Sequence, residues 1–144
     1  MQIDEIDKKL LQLMAENARR SVSELSRDLN LARTTVQARI ERLENHGHIV
    51  GYTIKLGKSL RSALRATALV SIEPRAAPTV LQRLKTLPQV ERVYTTSGRF
   101  DLIVELSATT TEELDETLDR IGEARGVNSS ESLIHLSTKI DRAL

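Results

Sequence analysis

The chain reads as an α+β protein, an N-terminal winged helix-turn-helix unit followed by a C-terminal ferredoxin-like βαββαβ unit. Three observations predict this. Residues 21–47, SVSELSRDLNLARTTVQARIERLENHG, hold two helical patterns joined by a turn short enough to force a sharp corner. Residues 66–140 run in the order strand, helix, strand, strand, helix, strand. Charge divides the same way: residues 1–65 carry twelve Lys and Arg against eight Asp and Glu, net +4, whereas residues 66–144 carry nine against twelve, net −3. The expected boundaries are a helix-turn-helix unit with its flanking strand over 1–56, a hinge over 57–65 and the sheet unit over 66–144.

In the first unit, Asp4 starts a supporting helix, with Glu5 and Asp7 favourable at its positive end and Ile6, Leu10 and Leu13 along its apolar side. Ser21 and Glu24 form the reciprocal capping box of the next helix, on which Leu25 and Leu29 face inward. Asn30 tolerates the left-handed backbone of the corner, and Leu31 plugs the angle between the helices. Val36, Ile40 and Leu43 make the buried stripe of the following helix, which Gly47 ends. On its other side lie Arg33, Thr34, Thr35, Gln37, Ala38, Arg39 and Arg42, short polar, small and guanidinium side chains that suit a major groove. Residues 49–56 (IVGYTIKL) alternate Val50, Tyr52, Ile54 and Leu56 and are expected as the flanking strand.

The polar, basic segment GKSLRSALR lacks a period and reads as the hinge. After it, Ala68, Val70 and Ile72 alternate on a strand, and Val80, Leu84 and Leu87 form a helical stripe stopped by Pro88. ERVYTTS and FDLIVELS are two strands meeting in a hairpin at Gly98-Arg99. Thr110 with Glu113 forms a second capping box for a helix carrying Leu114, Leu118 and Ile121 to Gly126. The last strand is expected at SESLIHLSTKI. Both helices should cover one sheet face, leaving Leu69, Tyr94, Ile103 and Leu133 on the other, too apolar for water, so that a second copy is expected against it. A one-residue error in register would exchange the faces.

Composition narrows the function classes. There is no cysteine, hence no disulfide framework or thiolate site. No apolar run is long enough to span a bilayer, and MQIDEIDKK lacks the order of a signal peptide, so a soluble, cytoplasmic protein without membrane contact is expected. Aromatic residues are 2% of the chain, which disfavours base stacking and points to double-stranded DNA. An enzyme would need convergent titrating groups; His46 and His48 suit a helix C-terminus, His135 an interface, and EELDETLDRIGE a solvated helix face. Neither a catalytic residue nor a metal or other cofactor is expected.

The chain resembles the Lrp/AsnC family of feast/famine regulators. The likeness rests on IDEIDKKLLQLM, ARRSVSELS, LARTTVQARIERLENHGHI and GYT in the first half, and on TSGRFD and GVNSSES in the second. It departs from the family at Ala32, where a capping serine is usual, a loss of about 0.5–2 kcal/mol if nothing replaces it, and at Arg20 and Asn30, where an apolar residue and glycine are usual. The resemblance implies a sequence-specific regulator of transcription whose second half, a RAM domain, assembles dimers into larger rings, often octamers, and senses a small effector, most often an amino acid. The polar side of the recognition helix puts Arg33, Thr35, Gln37 and Arg39 on the groove and Arg42 and Arg20 on phosphates, and the resemblance places the effector around Ser97, Gly98, Arg99, Phe100, Asp101, Ser132, Leu133 and His135 between subunits. Chemistry agrees with the last point: Asp101 can accept from an ammonium group, and Arg99 with the N–H groups of a glycine turn can donate to a carboxylate. Alternatively Gly98 only permits the hairpin and Asp101 caps it. Two other readings stay open: a haem-pathway decarboxylase of similar fold, or a stand-alone binding module, which would lack the first 56 residues.

Overall fold

The computed structural model describes residues 2–61 and 64–142, and the chain divides into two compact units at Lys55 and Leu56. Residues 62 and 63 of the expected hinge lie outside the described residues.

The first unit is three helices, α1 (Glu5–Glu16), α2 (Val22–Leu29) and α3 (Arg33–Asn45). Asp4 caps α1, its carboxylate accepting from the Asp7 N–H at 2.8 Å while its own N–H donates to Asp7 at 3.2 Å. Ser21 and Glu24 do the same for α2. Asn30 takes the left-handed conformation at φ 54° and ψ 48°, turning the chain so that Leu31 donates back to the Ser26 carbonyl. Leu10, Leu25, Val36, Ile40 and Leu43 then close a core of their own. One sequence expectation changes: Ile6 is exposed, and its neighbour Asp7 turns inward instead. Gly47, at φ 74°, ends α3 with paired bonds from Gly47 to Glu44 and from His48 to Leu43.

The flanking strand expected at 49–56 is not formed in the chain: Val50, Tyr52, Ile54 and Leu56 are exposed, and the segment has neither helix nor strand. A strand needs a neighbouring strand for its N–H and C=O groups, and among the described residues none pairs with this segment.

The second unit opens with a turn of 3-10 helix (Lys58–Leu60) and continues β1 (Leu64–Ile72), α4 (Ala77–Lys85), β2 (Val90–Thr95), β3 (Leu102–Ala108), α5 (Thr111–Gly122) and β4 (Val127–Ile134). The sheet order is β2-β3-β1-β4, all pairs antiparallel. Ala66, Ala68 and Val70 of β1 and Leu102, Val104 and Leu106 of β3 are fully buried with Val80, Leu84, Leu114 and Ile121 of the two helices. Leu69 and Ile103 pair across β1 and β3, and Tyr94 pairs with Ile103 from β2, so these alternate residues share the opposite face. That face carries Tyr94 and Leu133 at about half exposure.

Two boundaries differ from the sequence reading. Thr110 caps α5, but the Glu113 carboxylate closes on the N–H of Thr109 rather than on the cap residue. The last strand lies earlier than expected, and its pairing with β1 ends where His135 donates to the Arg65 carbonyl. Beyond that point the chain runs past the start of β1 at Leu64, and no further pairing is formed among the described residues. Leu136 and Ile140 are therefore left in solvent.

Candidate nucleic-acid interface and effector region

The spacing of α3 separates two surfaces. Val36, Ile40 and Leu43 are buried against α1 and α2, and Arg33, Thr34, Thr35, Gln37 and Ala38 are exposed on the far side. Arg33 forms no ion pair among the described residues, while Gln37 donates to Glu41 at 3.1 Å. Ala32 supplies no side-chain cap, so the first-turn N–H groups of α3 keep no side-chain acceptor. His46 Nδ1 lies 2.9 Å from the Arg42 carbonyl at the other end of the helix, the arrangement expected of a residue at a C-terminus.

Arg39 is a correction. Lying three residues beyond Val36, it falls beside the buried stripe and not on the exposed face. Its guanidinium meets both oxygens of Asp4 at 2.9 and 3.0 Å and Asp7 at 2.8 Å. Asp7 is completely buried, and a buried carboxylate must be paired, so the cation is drawn to the seam between α1 and α3. Arg42 is half-exposed and stands 3.7 Å from the other Asp7 oxygen. The hydrogen bonds to Asp7 and then Asp4 hold Arg39 above its usual range. The Asp7 backbone N–H, followed by Arg39, holds the Asp4 carboxyl below its own. Arg20, expected on phosphate, is shared between Glu16 and Asp28 at 3.3 Å each. Asp4 and Asp7 are the residues that sequence reasoning missed as partners of α3; the sign available was an acid at the third helical position, which reads equally well as a dipole partner.

In the sheet unit, Gly98 has φ 112° in the turn between β2 and β3. Arg99 lies over the Phe100 ring at 4.9 Å from its centroid and pairs with Glu131 at 3.3 Å. Asp101 is tied to β1 twice, its N–H donating to the Val70 carbonyl and its Oδ2 accepting from the Ile72 N–H, both at 2.9 Å. The Asp101 carboxylate thus ties the turn to the end of β1 and, among the described residues, makes no cap on the hairpin itself.

The other half of the expected site is elsewhere. Ser132 and Leu133 lie beside the middle of β1 and His135 follows: Ser132 pairs with Ala68, Leu133 pairs with Thr67, and the His135 ring is 2.8 Å from the Thr67 hydroxyl. Ala68 is on the helix-covered face, so Ser132 also points away from Leu133. From Thr67 to Ser71 is about 13 Å of strand. Within one chain Arg99 reaches as far as Glu131, next to Ser132, while Leu133 and His135 stand further along β1 at Thr67. A groove of about 830 Å³ lies between α4 and α5, lined by Thr79, Gln82, Arg83, Thr86, Arg120 and Arg125 among others, and includes none of the expected effector residues.

Comparison with known proteins agrees over both units. Residues 3–44 match the AsnC-type helix-turn-helix domain, and residues 65–144 match the Lrp/AsnC ligand binding domain. The chain is 32% identical over 141 residues to the HTH-type transcriptional regulator PH1916 of Pyrococcus horikoshii, covering 94% of each. It is 31% identical to the HTH-type transcriptional regulator LysM of Saccharolobus solfataricus, covering 94% of this chain and 95% of that protein. Among solved structures, Escherichia coli AsnC superposes with a TM-score of 0.90 at 24% identity, over 100% of this chain and 99% of that one, a likeness of fold. The Neisseria meningitidis regulator NMB0573, solved as an L-Met complex, superposes at 0.88 with 25% identity, over 97% of this chain and 94% of that one. Two domain matches in the family's order, on a three-helix unit with an exposed polar helix face and on an antiparallel sheet covered on one side, establish that this chain belongs to the Lrp/AsnC family of transcriptional regulators and is not an enzyme.

Proposed function

We propose that this regulator recognises a specific duplex sequence through the outer face of α3, works as a homo-oligomer in the cytoplasm, and responds to an amino acid held where chains meet. The observation that carries the first part is the division of α3: five residues at its start, Arg33, Thr34, Thr35, Gln37 and Ala38, face outward while its apolar stripe is sealed in. These read base edges, and Arg42 and Arg20 reach phosphate once DNA competes for their carboxylate partners. Two copies supply two such helices for half-sites roughly 34 Å apart or a multiple of that. An apolar sheet face with Leu69, Ile103, Tyr94 and Leu133 in partial contact with water supports assembly through that face, and dimers can join further into a ring.

The effector reading rests on the ligand-binding domain match, and on a relative by fold whose structure is an L-Met complex. The candidate residues are spread along β1 in one chain, with Leu133 on the open sheet face, so a second copy against that face would enclose the site. Asp101 Oδ1 is left to accept an ammonium group, Oδ2 being engaged with Ile72. Titration calorimetry with each proteinogenic amino acid, on wild type and Asp101→Ala, tests this. Binding that is lost in an assembled Asp101→Ala protein supports the site; absence of any binding, or full affinity in the variant, overturns it. For DNA, a wild type that selects no sequence from a random pool overturns the sequence-specific reading.

A further inference from the structure

Among the described residues Asp7 is the only charged side chain with no solvent exposure, and it sits where α1 meets α3. Its carboxylate accepts from the Asp4 N–H at 3.2 Å and from Arg39 at 2.8 Å, with Arg42 at 3.7 Å. The capping box of α1 is thus also the anchor of two cations on α3. The apolar seam of Val36, Ile40 and Leu43 fixes how deep α3 sits. It leaves rotation of the helix about its own axis less well determined, because aliphatic packing has no direction. No side-chain cap holds the first turn either, since Ala32 cannot provide one. A rotation of about 20° would carry a side-chain tip 5–6 Å from the axis by about 2 Å, enough to break a hydrogen bond to a base.

We infer that Asp7 is a positioning residue for DNA recognition: through its hydrogen bond with Arg39 it fixes the rotation of α3 so that Arg33, Thr34 and Gln37 meet the groove in one register, and it withholds Arg39 from DNA. This rests on the sequence-specific reading given above. Its consequence is opposite in sign for the two classes of DNA. Releasing the clamp blurs the register that discriminates between sequences. It also frees the Arg39 guanidinium for phosphate, which helps every sequence alike.

The experiment uses the full chain, a duplex that wild type selects from a random-sequence pool, and a shuffled duplex of the same length and composition. For Asp7→Asn the expected ratio of selected to shuffled affinity falls about tenfold, with shuffled affinity held or raised and its dependence on salt steeper. Asp4→Asn keeps a capping side chain and loses one carboxylate from Arg39, so the same change is expected at smaller size. Arg39→Met added to Asp7→Asn should lower the ratio no further, because both residues belong to one ion pair. An unchanged ratio in folded Asp7→Asn overturns the proposal, as does a parallel loss for both duplexes, which would mean damage to the fold alone. An additive fall in the double variant also overturns it, since Arg39 would then be reading DNA directly. If Asp7→Asn does not fold, Asp4→Asn and Arg39→Met decide: reduced discrimination with shuffled affinity retained in Asp4→Asn supports the clamp, and an unchanged ratio in both overturns it. A wild type with no preference between the duplexes would overturn the sequence-specific reading and the proposal with it.

Discussion

The helical unit is complete within one chain, whereas the sheet unit is complete on one face only. In the first, Leu10, Leu25, Val36 and Leu43 are fully buried, and even the inward-facing acid Asp7 finds cations from the same unit. In the second, Ala68 and Val104 are sealed under α4 and α5, but Leu69, Ile103, Tyr94 and Leu133 look away from the helices. The difference lies in geometry. Three short helices can each turn a stripe to a common centre, but a sheet has two faces and two helices on the same side cover one. On the function proposed above, the helix-turn-helix unit is shaped locally, and the ligand-binding unit would need assembly to finish its surface.

The sharpest test of this contrast compares a leucine from each surface. Leu25→Ala should cost about 2–5 kcal/mol, and the loss should not vary with protein concentration, because the cavity is internal to one chain. Chemical denaturation across a range of concentrations reads this. Leu69→Lys should leave the monomer core intact yet abolish assembly, seen in light scattering as a fall to the mass of one chain. If Leu69→Lys assembles as wild type does, the open face is not the interface and the contrast fails.

Smaller effects sharpen the helical side. Arg33→Ala together with Gln37→Ala should lower affinity for a selected duplex by about 1–3 kcal/mol for each base that is no longer read, with the melting temperature unchanged because both side chains face outward. Arg42→Ala should weaken all duplexes similarly and reduce the salt slope by about one unit, measured by anisotropy at several ionic strengths. Ala32→Ser should restore the missing cap and raise stability by about 0.5–2 kcal/mol.

The smallest expected effect is one of pH. Asp4 has its carboxyl held below the usual value in the folded chain, first by the Asp7 N–H and then by Arg39. Its contribution to stability is therefore in place above the ordinary carboxylate value and disappears as pH falls through the lower, folded-state value. Asp4→Asn should be less stable than wild type near neutrality, and the gap should narrow in acid. A gap that stays constant into strong acid would show that charge on Asp4 is not what matters.

Much of this was legible in the chain because its determinants are near neighbours. Ser21 with Glu24, Asn30 with Leu31, and Gly47 act over one turn of backbone, and each sits where its spacing puts it. The alternation of Ala68, Val70, Leu102 and Val104 likewise fixed which sheet face the helices would cover. Three features were not legible, and each depends on a partner distant in sequence. Arg39 looked like a base reader until the fold placed Asp4, 35 residues earlier, within 3.0 Å of it. The segments at 49–56 and beyond His135 alternate as strands do, but alternation shows only that a strand would be amphipathic, and the hydrogen-bonding partner decides whether it forms. The candidate effector residues lie in two motifs, and antiparallel pairing with β1 spreads them along that strand, Asp101 beside Val70 and Ile72 and Leu133 beside Thr67. Sequence by itself determined the local elements, their caps and their apolar faces, because those follow from covalent spacing. Tertiary structure alone decided which charges are spoken for and which edges remain open, since both turn on what lies across space from a residue and not on what lies beside it in the chain.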